Sequence, residues 1–94
     1  MPTFIIEREI PGASELSPDE LLGITRKSND TVETLNRPYT WRYSYVAGDK
    51  LYCVHDAARR EDVLDHARGG GFPANLVAEV ANVFDPDGLR DLPV

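Results

Sequence analysis

Residues 40–55 read Thr40-Trp41-Arg42-Tyr43-Ser44-Tyr45-Val46-Ala47-Gly48-Asp49-Lys50-Leu51-Tyr52-Cys53-Val54-His55. Thr40 to Val46 is dense in aromatic and β-branched side chains, as a strand requires. Gly48-Asp49 marks a tight turn, and Leu51 to His55 returns as a second strand. A two-residue turn pairs Ala47 with Lys50. It then sets Val46 opposite Leu51, Tyr45 opposite Tyr52, Ser44 opposite Cys53 and Tyr43 opposite Val54. Directly paired residues share a face. One face therefore holds Val46, Leu51, Ser44 and Cys53, small or aliphatic residues that suit a core beneath helices. The other holds Trp41, Tyr43, Tyr45, Tyr52 and Val54.

The flanking segments supply the rest of the domain. Thr3 to Glu9 alternates as a strand, closed by Pro11-Gly12. Ser17-Pro18-Asp19-Glu20 is a helix start: Ser17 caps, Pro18 suits the first helical position, and Glu20 completes a capping box. Leu16 and Leu21 are spaced as a hydrophobic staple. The helix carries Leu21, Ile24, Thr25, Ser28, Val32 and Leu35 on one stripe and ends before Arg37-Pro38. A second helix is expected over about Arg59 to Arg68, burying Val63, Leu64 and Ala67, with Gly69-Gly70-Gly71 as its terminator. Asn75 to Phe84 reads as a fourth strand and Asp85-Pro86-Asp87-Gly88 as a turn. The expected fold class is α+β, a ferredoxin-like β-α-β-β-α-β sandwich with a four-stranded antiparallel sheet and both helices on one face. The 94 residues suffice for one domain, 1–94, with its core over about 3–86 and a C-terminal tail at 87–94.

The face that the helices leave open combines much aromatic and aliphatic area, and such a patch is unlike the surface of a monomer. It predicts a homodimer built on Trp41, Tyr43, Tyr45 and Tyr52. With Phe4 and Ile6 turned to the core, Glu7 falls on the open face. With Leu76, Ala78 and Val80 turned to the core, Glu79 joins it there on the neighbouring strand. Two carboxylates so placed call for a cation, a shared proton or an arginine. A divalent cation would draw on Glu7 and Glu79, with His66 as a further candidate. His55 points away from the tyrosine face, and no histidine or cysteine forms a close-spaced ligand pair. Cys53 reads as a core residue rather than a nucleophile. The glycine run follows a helix, whereas a phosphate loop precedes one. No complete catalytic motif is present, so the catalytic residues are unknown, no organic cofactor is implied, and the reading leans away from an enzyme.

A net charge of −6 argues against nucleic acid and anionic membranes as partners. No apolar run approaches the roughly 20 residues of a membrane span. The N-terminal Met1-Pro2-Thr3-Phe4 lacks signal-peptide features, and the lone cysteine excludes an internal disulfide framework. Both facts favour a cytoplasmic location.

Several segments resemble one family throughout the chain: Glu7-Arg8, Ser44-Tyr45-Val46, Asp49-Lys50, Tyr52-Cys53-Val54, Asp56-Ala57, His66-Ala67-Arg68, Gly70-Gly71-Phe72-Pro73-Ala74, Glu79-Val80 and Asp85-Pro86. They are similar to small bacterial proteins, common in actinobacteria, first grouped as a domain of unknown function and later as nickel-binding or nickel-responsive. The resemblance implies a ferredoxin-like fold, a homodimer and binding of nickel or another divalent cation at the dimer, with no established catalytic activity. Several members carry a histidine two residues before the Tyr-Val pair of the second strand, where this chain has Tyr43, and the resemblance thereby implies Tyr43 as a further candidate at the metal. The leading expectation is a small dimeric metal-binding protein. Two others stand beside it. One is an enzyme of the dimeric α+β barrel type, monooxygenase-like or isomerase-like, sheltering a small molecule between sheet and helices. The other is an interaction module with no ligand.

Overall fold

The hairpin over residues 40–55 forms in the expected register. In the computed structural model, which describes residues 1–90, β2 (Tyr39–Ala47) pairs antiparallel with β3 (Lys50–Ala57) through Ala47–Lys50, Val46–Leu51, Tyr45–Tyr52, Ser44–Cys53 and Tyr43–Val54. Gly48 at φ 59° takes the first central position of the turn, where a positive φ makes the chain reverse with the twist of its strands. β1 (Thr3–Glu9) lies on the other side of β3, and β4 (Leu76–Glu79) on the far side of β1, giving the antiparallel order β2-β3-β1-β4. With α1 (Pro18–Leu35) and α2 (Arg60–Gly70) inserted between strands, this is the ferredoxin-like plan.

α1 starts as its sequence dictates. The Ser17 side chain accepts from the Glu20 N–H at 3.1 Å, and Glu20 accepts from the Ser17 N–H at 3.0 Å. A single 3-10 turn over Ala13–Glu15 precedes it. The core is Phe4, Ile6, Leu51, Cys53 and Ala57 from the sheet against Val63 and Ala67 of α2, with Tyr39 at its edge. No helix among the described residues is long and apolar enough to cross a membrane.

Four expectations are corrected. Register shifts between Trp41 and Tyr43, so Arg42 is the extra residue of a bulge and Trp41 pairs with His55. A bulge flips every side chain beyond it. Trp41 thus leaves the tyrosine face for the helix side. Second, β4 has the opposite parity. Val77 pairs with Ile6 and Glu79 with Phe4, while Leu76 pairs with Glu7 and Ala78 with Ile5. The register is pinned at both ends: the Asn75 N–H donates to the Glu7 carbonyl at 2.9 Å, and the Val80 N–H to the Thr3 carbonyl at 2.8 Å. Third, the strand expected over 75–84 stops at Glu79. Val83–Asp85 forms β5, which pairs with β6 (Gly88–Arg90) as a separate hairpin around the expected turn. Residues 88–90 are therefore strand rather than tail, and 91–94 lie outside the described residues. Fourth, α2 begins and ends later than expected and buries Asp62 and His66 beside Val63 and Ala67, whereas Leu64 is only half-buried.

Gly71, at φ 68°, caps α2, while Gly69 and Gly70 lie inside it. A Cβ on Gly70 would lie 2.3 Å from the Phe72 ring, which folds back over the helix end. Gly70→Ala must displace that ring and is expected to destabilise the protein by about 1–3 kcal/mol. Urea denaturation checks it, since a change under about 0.5 kcal/mol would show that the ring relocates freely.

Candidate functional site

A half-open cleft of about 210 Å³ lies between α1 and the helix-covered face of the sheet. Protein interiors are packed as densely as organic crystals, so such a space has a local cause. Here the cause is small side chains. α1 offers Thr25 and Ser28 toward the sheet, and the sheet answers with Ser44 and Cys53. Leu21 and Ile24 wall the space from the helix side, and Val46 and Leu51 from the sheet side. α1 is held to α2 instead, where Thr31 is buried and its Cγ2 would meet a Cβ on Gly69 at 3.2 Å.

A buried aromatic and imidazole cluster closes one end. His66 lies between Tyr39 (centroids 5.1 Å apart, planes 15°) and Phe72 (5.6 Å, 20°). His55 meets both Tyr39 and His66 edge-on, at 5.3 and 5.1 Å. The Tyr39 hydroxyl shares a hydrogen bond with Nδ1 of His55, and the Ser28 hydroxyl shares one with Nε2 of His66 at 3.1 Å. Nδ1 of His66 is buried and has no partner among the described residues.

Arg8 enters this cluster from β1, on the same side of the strand as Phe4 and Ile6. It is only 3% exposed. Its Nε donates to Cys53 Sγ at 3.4 Å, its Nη1 donates to the Pro73 carbonyl at 2.6 Å, and its Cζ lies 5.4 Å from the Phe72 centroid. Burial pushes His55 down to about 3, helped by His66 and Arg8. Burial and then Arg8 push His66 down to about 4. Burial also raises the Tyr39 hydroxyl. Near neutrality the imidazoles are therefore uncharged and the phenol is protonated.

The residues expected to hold a metal do not converge. Glu7 is on the open face, ion-paired to Lys50. Glu79 is exposed and pairs with Phe4, on the opposite side of the sheet from Glu7. Tyr43 is half exposed on the open face, edge-on to Tyr45, and His66 is in the interior. Among the described residues no group of three His, Cys, Asp or Glu side chains could hold a metal ion. Tyr43, Tyr45 and Tyr52 do share the open face, joined by Ile5, Val54, Leu76 and Ala78, whereas Trp41 lines the cleft. Cys53 is buried, as expected. Sequence reasoning missed Arg8 and Tyr39 and said of His55 only that it points away from the tyrosine face. The available signal was parity: Phe4, Ile6 and Arg8 alternate on one face, which puts a guanidinium on the core side.

Residues 4–80 match the family described as nickel responsive protein SCO4226-like. Among solved structures, the crystal structure of SCO4226 from Streptomyces coelicolor A3(2) is similar with a TM-score of 0.69 and 18% identity, covering 84% of this chain and 95% of that one. At that identity the likeness concerns the fold. No curated protein matches the chain.

Proposed function

The chain belongs to the nickel responsive protein SCO4226-like family, and from that premise and the geometry we propose that it is a homodimeric small-molecule-binding protein whose centre is the cleft between α1 and the sheet. The observation that supports this reading is the cleft itself. A cleft lined by apolar walls and a few convergent polar groups has the character of a ligand site.

The reading is binding rather than catalysis. A general acid or base works best with a pKa near the operating pH, and His55 and His66 lie well below it, at about 3 and 4. Nickel prefers imidazole and carboxylate donors. Within one chain these are apart: His55 and His66 sit beside the Arg8 guanidinium, which repels a cation, and Glu7 is committed to Lys50. A nickel site would be one formed between two copies, where Glu7 and Tyr43 of the open face each occur twice and Glu7 exchanges Lys50 for the ion.

The dimer uses that open face. Ile5, Tyr43, Tyr45 and Leu76 are 40%, 50%, 60% and 46% exposed there, a contiguous apolar and aromatic surface that a second copy covers. Light scattering at micromolar concentration is expected to give twice the chain mass. Tyr45→Glu, which would bury an unpaired charge, is expected to give the monomer mass. A wild-type monomer would contradict the dimer.

The cleft is tested with toluene. Methyl-detected NMR should show Leu21 and Ile24 shifting on its addition while Ile5 and Leu76 stay in place. Shifts confined to the open face, or no shifts, would overturn the cleft as the site.

A further inference from the structure

Every other buried charge among the described residues has an opposite partner. Asp56 accepts from Arg42 at 2.5 Å, and Asp62 lies 2.9 Å from both Arg37 and Arg59. Arg8 has none: its two hydrogen bonds go to a thiol and a carbonyl, and no carboxylate lies within ion-pair distance among the described residues. Burying a guanidinium without a counter-charge costs several kcal/mol. Arg8 is also the one charged side chain lining the cleft.

The remaining polar groups of the cleft are mostly committed. Trp41 Nε1 donates to Ser44 Oγ at 2.9 Å, Thr25 donates to the Leu21 carbonyl at 3.0 Å, and Ser28 is bonded to Nε2 of His66. Nδ1 of His66 is buried and without a partner among the described residues. A buried cation without a counter-charge thus borders one apolar space. Its 210 Å³ exceeds the roughly 150 Å³ that accommodates benzene, leaving room for one further small group.

We propose that the cleft takes a small organic carboxylate with an aromatic or compact apolar body, its charge met by the Arg8 guanidinium. This rests on the cleft being the binding site. Arginine suits the role because its planar fork matches a carboxylate. The ring of the ligand then packs against Leu21, Ile24 and Trp41.

The probes are benzoate, its neutral isostere benzamide, and toluene, titrated into the protein at pH 7 with methyl NMR and calorimetry. Benzoate is expected to bind at least tenfold more tightly than benzamide, and Arg8→Gln is expected to abolish that preference. Benzoate no tighter than benzamide, with toluene still shifting Leu21 and Ile24, overturns the anion inference and leaves the cleft standing. An unchanged benzoate preference in folded Arg8→Gln overturns it too. If neither benzoate nor toluene shifts those methyls, the cleft reading fails as well. The comparison of benzoate with benzamide on the unmodified protein decides the matter even if Arg8→Gln does not fold.

Discussion

Lowering the pH from 6.5 to 5 is expected to remove about 3 kcal/mol of stability, before the carboxylates begin to titrate. The cause is the pair of buried imidazoles. In the folded chain His55 and His66 stay neutral down to about 3 and 4, whereas an ordinary histidine titrates near 6.5. Between those values the unfolded chain holds two protons that the folded chain refuses. Stability is therefore full above about pH 6.5 and is lost as pH falls toward 4. The ion pairs act lower. Arg59 and Arg37 hold Asp62, and Arg37 and Arg68 hold Asp65, below the usual carboxylate range, so their contribution is lost only under stronger acid. His66→Phe keeps an aromatic ring between Tyr39 and Phe72 and removes one titrating group. It is expected to halve the slope of stability against pH between 6.5 and 5. Urea midpoints across that window measure it, and a flat wild-type profile would mean that the imidazoles are already reached by water and protonate in place.

Phe4→Ala is expected to cost about 3–5 kcal/mol. Phe4 is 2% exposed near the start of β1, pairing with His55 on one side and Glu79 on the other. Removing its ring opens a cavity in the core layer that backs the imidazole cluster. A domain of this size has little more stability than that to lose, so the variant is expected to be largely unfolded at 37 °C by circular dichroism. A loss below about 1 kcal/mol would show that the core repacks around the gap and that Phe4 is no keystone of it.

The fold was legible where one residue choice excludes alternatives. Ser17, Pro18 and Glu20 admit only a helix start, and Gly48 before Asp49 fixes the hairpin register from Ala47 to Tyr43. It was illegible where several neighbours are equally apolar. Leu76, Val77 and Ala78 can be written with either parity, and only the bonds of Asn75 and Val80 to β1 choose. That choice separates Glu7 from Glu79 and dissolves the expected carboxylate pair. The bulge at Arg42 left no mark in the sequence either, because Thr40, Trp41 and Tyr43 are good strand residues on either face. It moves Trp41 from the expected interface into the cleft. The cleft depends on how far α1 stands from the sheet, which no local pattern encodes. Its small residues, Thr25, Ser28, Ser44 and Cys53, read in sequence as ordinary packing. Arg8 was visible as a charge at a core position of β1, and that mismatch between residue type and parity is the strongest trace the site leaves.

Native mass spectrometry of the protein isolated from cells grown with nickel tests the central claim most directly, because it weighs the assembly and what it carries together. The account predicts a dimer whose added mass is a small organic acid, with nickel bound weakly enough to be stripped by a chelator without loss of that acid. A monomer, or a chain that holds nickel tightly and stoichiometrically and carries no organic ligand, would contradict it and return the functional centre to a metal site.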